Sequence, residues 1–282
     1  MDGLRGKAGY KRAMTDQLNI AVAGAAGRMG RQLVKATIDA GHQLSGGSEA
    51  PGSQHLGKDL GTLAGTQALG VQTFAGISEA ARGANVWLDF TIPKATLAAL
   101  DVLPGLGVTA IIVGTTGFSA AEETMIVKAS KRLAIVKAGN YSLGVSLLEA
   151  LVRQAATRLD DEWDIEILET HHRRKIDAPS GTALALGEAA AAGRGASLSD
   201  LRSAPYNGPD AKREAGKIGF AVRRTGDIIG EHEVTFGSDL ETITLSHTAL
   251  DRSVFAHGAI KAAEWAATQK PGLYSMSDVL GI

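Results

Sequence analysis

The chain has 282 residues, 44% of them hydrophobic and 5% aromatic, with 35 glycines, a length that holds two ordinary domains and a sizeable core. Its 29 Lys and Arg balance 30 Asp and Glu, which argues against nucleic acid as a partner and makes any cationic site a local one. It has no cysteine, which excludes disulfides, thiolate nucleophiles and Cys-ligated zinc and fits a reducing, cytoplasmic setting; apolar runs such as TAIIVG are too short to span a membrane.

Residues 1–17, MDGLRGKAGYKRAMTDQ, show neither helical nor strand periodicity and have no apolar signal segment behind their charges, so they are expected to form a mobile extension, with Met14 as an alternative start. From Leu18 to about Gly139 short apolar runs (LNIAVAG, VWLDFT, TAIIVGTT, LAIVKAGN) alternate with helical patterns such as MGRQLVKATIDAG. Strands buried on both faces read as continuous apolar runs, and βα alternation implies parallel pairing with right-handed crossovers. The expected fold is α/β, a Rossmann-like doubly wound parallel sheet.

After Asn140 the rhythm changes. A long helical pattern, SLGVSLLEALVRQAATRL, precedes strand-like WDIEILETH, a helix from about Thr182 and a Gly/Pro/charged loop near 194–216. Three alternating runs follow, KIGFAVRR, IIGEHEVTF and ETITLSHTA, in the manner of a sheet with one wetter face. This predicts a second, α+β domain. The final helical run, SVFAHGAIKAAEWAATQ, fits either domain by periodicity.

Three turns of the first domain carry ligand-binding character. AVAGAAGRMG places Gly24, Gly27 and Gly30 where the first strand enters the first helix; the spacing is G-x-x-G-x-x-G rather than G-x-G-x-x-G. Such a turn lets backbone approach a pyrophosphate while helix N–H groups face its charge, with Arg28 as an added cation. Glu49 follows the second strand-like run, HQLSGGSEA, where an acidic residue would accept hydrogen bonds from an adenosine ribose. Two later turns, at Gly114, Thr115 and Thr116 and at Ala138 to Tyr141, follow strands of the same sheet and are expected in the same crevice.

The segment 169–183, ETHHRRKIDAPSGTA, concentrates charge in the second domain. A charge cluster alone is equally consistent with a solvated turn. In an extended strand Ile165, Ile167, Glu169 and His171 share one face and His172 points to the other, which argues against a chelating histidine pair, and no metal site is expected. Serine hydrolysis lacks its G-x-S-x-G elbow around Ser180. A proton donor and an anion site remain, with Arg173, Arg174 and Lys175 as standing cations. DAPSGTALALGEA reads as a helix start with Asp177 or Ser180 as N-cap and Pro179 in or near the first turn, so the N–H groups of Gly181 and Thr182 and the Thr182 hydroxyl can hold a carboxylate.

Together with GAAGRMG, DFTIP, VGTTGF, AGNYSLGV and GEHEVTF, in this order, ETHHRRKIDAPSGTA resembles the signature of the 4-hydroxy-tetrahydrodipicolinate reductase family over nearly the whole chain after residue 18. The resemblance implies NADH- or NADPH-dependent reduction of a cyclic, imine-derived dicarboxylate in lysine and diaminopimelate biosynthesis. It implies a dinucleotide-binding domain over 18–140 plus 252–282, and a substrate domain over 141–251 through which copies assemble as a homotetramer. Carried over by position, His171 is the catalytic proton donor and Lys175 a second one, while His172, Gly181 and Thr182 contact substrate. Gly24, Ala25, Ala26, Gly27, Arg28, Met29, Glu49, Gly114, Thr115, Thr116, Ala138, Gly139, Asn140 and Tyr141 match nucleotide contacts. NADPH-favouring members often carry arginine after the acidic residue; Ala50 stands here instead, which predicts a lean toward NADH. Two other readings compete: another imine or amino-acid dehydrogenase on a similar plan, and a non-enzymatic dinucleotide sensor.

Overall fold

The computed structural model describes residues 17–282. Residues 1–16 of the predicted extension lie outside them; Gln17, its last residue, donates through its side-chain amide to the Gly41 carbonyl (3.0 Å). The first half of the chain alternates strands and helices: β1 (Asn19–Ala23), α1 (Arg28–Asp39), β2 (Gln43–Ser48), α2 (Leu60–Leu63), β3 (Thr73–Phe74), α3 (Ile77–Ala80), β4 (Val86–Asp89), α4 (Pro93–Val102), β5 (Ala110–Val113), α5 (Ala120–Ala129) and β6 (Ala134–Lys137). VWLD and AIIV are buried at every position, the physical reason for their apolar runs, which in VWLD the buried Asp89 ends.

Alternate residues feed two cores. Ile20 and Val22 of β1 face α1, whereas Ala21 and Ala23 face the residues of α3, α4 and α5, the period of two expected of a strand covered on both sides. Ser119 caps α5 with a reciprocal Glu122 contact, which satisfies two otherwise orphaned N–H groups.

The second half opens with α6 (Leu143–Arg158), capped by Ser142, whose hydroxyl accepts from Val145 N (3.3 Å). Then come β7 (Asp164–His171), α7 (Gly181–Gly193), α8 (Leu198–Leu201), β8 (Ile218–Arg224), β9 (Gly230–Gly237) and β10 (Thr242–Ala249). These four strands form a mixed sheet in the order β10-β9-β7-β8, with β7 parallel to β8 and antiparallel to β9. A third core joins Leu148 and Val152 of α6 and Leu186 and Ala190 of α7 to Ile165, Ile167, Val234 and Phe236 of this sheet.

The chain ends with α9 (Ser253–Ala266), β11 (Gly272–Tyr274) and α10 (Met276–Leu280). Helix α9 packs against α1 and the β4–β6 region, and β11 adds a parallel edge strand to β6, giving a seven-stranded order β11-β6-β5-β4-β1-β2-β3. A contact between His42 Nε2 and Glu264 Oε1 (3.3 Å) ties α9 to the segment after α1. The strand order reverses at β1, flanked by β2 and β4, and open α/β sheets bind ligands at such a switch point. The helix expected from about Thr182 begins at Gly181 with Ser180 as its N-cap; Pro179 precedes the cap, and Asp177 instead pairs with Lys175 (2.8 Å).

Candidate active site

The glycine turn forms as the crevice requires. Gly24 sits at φ +60°, a conformation that disfavours a side chain, and a Cβ on Gly30 would lie 2.1 Å from the Gly24 carbonyl oxygen. The first intrahelical bond of α1 runs from Arg31 N to Gly27 O (3.0 Å), so the N–H groups of Arg28, Met29 and Gly30 precede it and remain for an anion. Glu49 reaches back to this turn, its Oε1 accepting from Ala26 N (2.7 Å), while Arg31 Nε donates to Ala26 O (2.8 Å). The donors, the close-approach glycines and the acid fit a dinucleotide. Arg31 was not singled out in the sequence; its place one helical turn beyond Gly27 was the available signal.

A cleft of about 1030 Å³ lies between the ends of the first sheet's strands and the start of α7. Its walls bring together Arg28, Met29, Thr116, Ala138, Gly139, Asn140, Tyr141, His171, His172, Lys175, Gly181 and Thr182. Gly24, Ala25, Ala26 and Gly27 form the adjoining turn, to which Glu49 is bonded, and Gly114 and Thr115 follow β5; none of these is among the walls. Thr115 is buried, its hydroxyl bonded with Thr96 (2.9 Å) and Asp89 (3.2 Å), and the Tyr141 phenol is wholly buried beside the carbonyls of Val136 (2.8 Å) and Val113 (3.0 Å). Both side chains are therefore committed to holding loops on the sheet. Burial raises the Tyr141 hydroxyl well above its ordinary pKa, so it stays protonated.

On the other wall His171 ends β7 as a buried residue. Its Nδ1 lies 2.5 Å from Oε2 of Glu169, which is 1% exposed and also accepts from Arg224 and the Ser180 N–H. Burial opposes the Glu169 charge, but Arg224, His171 and the Ser180 N–H hold its carboxyl below the usual range. Burial likewise pulls the His171 pKa below its ordinary value, against the Glu169 carboxylate and with the Lys175 and Arg224 cations. His232 packs edge-on to His171, ring centroids 5.1 Å apart, and burial above all pushes its pKa down to about 4. The Ser180 hydroxyl accepts from Ala183 N (3.1 Å) and is hydrogen-bonded with His232 Nε2 (3.1 Å).

His172 lines the cleft, and its buried Nδ1 has no hydrogen-bond partner among the described residues. Thr182 Oγ1 accepts from Asn140 Nδ2 (3.0 Å), joining the loop after β6 to the start of α7. Arg252 also lines the cleft. Arg224, His232 and Arg252 are not among the candidate residues of the sequence motifs. His232 alone carried a signal, as a histidine at an inward position of the alternating run GEHEVTF.

Two family models cover nearly all of this chain: "Dihydrodipicolinate reductase, N-terminus" matches residues 18–141 and "Dihydrodipicolinate reductase, C-terminus" residues 144–280. The chain belongs to the dihydrodipicolinate reductase family. Among curated relatives, the 4-hydroxy-tetrahydrodipicolinate reductase of Parvibaculum lavamentivorans is 51% identical over 95% of this chain and 100% of its own length. The enzyme of that name from Bradyrhizobium diazoefficiens is 50% identical over 94% and 98%. The fold is shared with a dipicolinate-bound dihydrodipicolinate reductase from Paenisporosarcina, at TM-score 0.73 and 22% identity over 92% of this chain and 97% of that one. It is shared too with an amine dehydrogenase from Mycobacterium smegmatis, at TM-score 0.64 and 15% identity over 93% and 96%. Membership makes the chain an oxidoreductase that works with a nicotinamide dinucleotide. Among the described residues, no helix is long and apolar enough to cross a membrane.

Proposed function

We propose that the chain reduces 4-hydroxy-tetrahydrodipicolinate to tetrahydrodipicolinate, a step of lysine and diaminopimelate biosynthesis in the cytoplasm. The observation that carries this reading is the facing of Arg28, Met29, Thr116 and Ala138–Asn140 across one cleft toward His171, Lys175 and the start of α7. A nicotinamide dinucleotide, when bound, supplies the hydride. Arg28 and the free N–H groups of α1 hold its pyrophosphate, and Glu49 takes the adenosine ribose.

The N–H groups of Gly181 and Thr182, with the Thr182 hydroxyl and His172, orient one carboxylate of the substrate. Lys175 exchanges Asp177 for the substrate and stabilises negative charge developing on it. Reduction of the dehydrated, conjugated ring leaves an electron-rich ring carbon, and His171 delivers the proton it needs. Ala50 offers no charge to a 2′-phosphate and the neighbouring Glu49 repels one, which favours NADH over NADPH. The four-stranded sheet has α6 and α7 on one face, while the other, carrying Glu166, Leu168, Glu233 and Thr244, is half-buried or exposed in a single chain. That outer face suits assembly with further copies as a homotetramer.

Freshly generated 4-hydroxy-tetrahydrodipicolinate, mixed with enzyme and either cofactor while nicotinamide absorbance is followed, tests the reading. Substrate-dependent cofactor oxidation is expected, faster with NADH. No turnover with either cofactor would move the protein to the sensor reading.

A further inference from the structure

One buried carboxylate touches both halves of the proposed chemistry. Glu169 Oε2 meets His171 Nδ1 (2.5 Å) and Arg224 Nη1 (2.7 Å), while Oε1 takes the Ser180 N–H (2.9 Å) and Arg224 Nη2 (2.8 Å). Arg224 is fixed in turn by donating to the Asp177 carbonyl (2.7 Å). An ionised carboxylate can only accept, so every ring state of His171 compatible with this contact carries its proton on Nδ1. Nε2 is then the position that gains and loses the catalytic proton. It lies beside Gly230, where a Cβ would come within 3.1 Å of it.

We propose that Glu169 is a positioning residue for the reduction: it fixes His171 as the Nδ1–H form and, through the Ser180 N–H, sets the distance from that acid to the anion-binding start of α7. This rests on the reading of His171 as proton donor. Ser180 immediately precedes Gly181 and Thr182 and caps their helix, so a shift of Glu169 moves the acid and the carboxylate site together. The bidentate Arg224 pair removes the carboxylate's freedom to rotate, which a carboxylate held by one contact would keep.

The charge of Glu169 has a second effect. The groups facing His171 are Glu169 on β7, Lys175 in the following turn, Arg224 on β8 and His232 on β9. Of these only Glu169 is anionic, and it is what raises the His171 pKa against burial and the cations. General acid catalysis needs protonated His171, so that activity is present below its pKa and lost as pH rises through it. Removing the carboxylate lowers that pKa and moves the loss to lower pH.

The test combines Glu169→Gln kinetics with nitrogen NMR of the His171 ring in the wild-type enzyme. An amide at position 169 can turn its NH₂ toward Nδ1 and invert the tautomer. Glu169→Gln is expected to lower kcat by about tenfold or more, to shift the alkaline limb of the kcat profile to lower pH, and to leave the cofactor Kd unchanged. The wild-type neutral ring is expected to carry its proton on Nδ1. A neutral ring protonated at Nε2, or a Glu169→Gln enzyme with unchanged kcat and pH limb, overturns the proposal. If the variant does not fold, the wild-type NMR measurement decides alone. A His171→Gln enzyme with full activity removes the donor reading itself, an outcome separate from these.

Discussion

The turn at Gly24–Met29 and the segment from Glu169 to Thr182 are both proposed anion sites at the start of a helix, yet they are built from different materials. The first is made of backbone: glycines permit close approach, N–H groups carry the partial charge, and a single acid, Glu49, braces the loop. The second is made of buried and half-buried polar and ionisable side chains that support one another, Glu169 with Arg224 and His171, and Ser180 with His232. Backbone sites bind a constant part of a ligand such as a pyrophosphate and tolerate changes in the side chains around them. Networks of charges set protonation states, and the loss of one partner leaves the others buried and unsatisfied.

Substitutions on the side-chain wall are expected to have large effects and those on the backbone wall smaller ones. His171→Gln should lower kcat by about a hundred- to ten-thousandfold without changing cofactor affinity, read by steady-state kinetics and calorimetry. Next in size is a pH effect on stability. His232 is held neutral in the folded chain with its pKa pushed down from 6.5 to about 4, burial being the main cause. The unfolded chain therefore binds one more proton between those values. The contribution is complete above about pH 6.5 and falls toward pH 4 by on the order of 3 kcal/mol. Thermal melts across this range should show the slope, and His232→Asn should flatten it.

On the backbone wall, Gly24→Ala places a side chain at φ +60° with its Cβ 3.0 Å from Thr91 Cγ2. The expected cost is about 1–2 kcal/mol of stability, with weaker cofactor binding and little change in kcat at saturation. The smallest effect belongs to Ala50→Arg, which should raise kcat/KM for NADPH relative to NADH by about tenfold, the worth of one exposed charge-assisted contact. A wild-type enzyme that already prefers NADPH would contradict the assignment of specificity to this position.

The sequence showed the two walls unequally. The central strands β4, β5 and β6 were legible because burial on both faces makes them apolar up to the Asp89 and Lys137 that end β4 and β6, whereas β3 and β11, at two and three residues, are too short to show any periodicity. His171, Lys175, Gly181 and Thr182 sit in one contiguous run, in which capping rules read Gly181 and Thr182 and the resemblance to the family signature picked out His171 and Lys175. Their supports could not be read in the same way. Arg224 reaches Glu169 only because β7 and β8 pair in parallel with His171 opposite Arg224, and His232 reaches Ser180 from β9, the antiparallel neighbour of β7 on its other side. Those contacts depend on register, which local composition does not encode. Thr115 and Tyr141, expected at the crevice from their places after β5 and β6, turn their side chains toward the sheet.

The division of labour between the walls is tested most directly by one paired measurement on the His171→Gln/Lys175→Ala double variant: cofactor Kd by calorimetry and kcat/KM for 4-hydroxy-tetrahydrodipicolinate on the same preparation. Independent walls predict a Kd within about twofold of wild type while kcat/KM falls by at least about a hundredfold. A Kd that weakens in step with kcat/KM would mean that the charged segment holds the nucleotide as well, and would contradict the account.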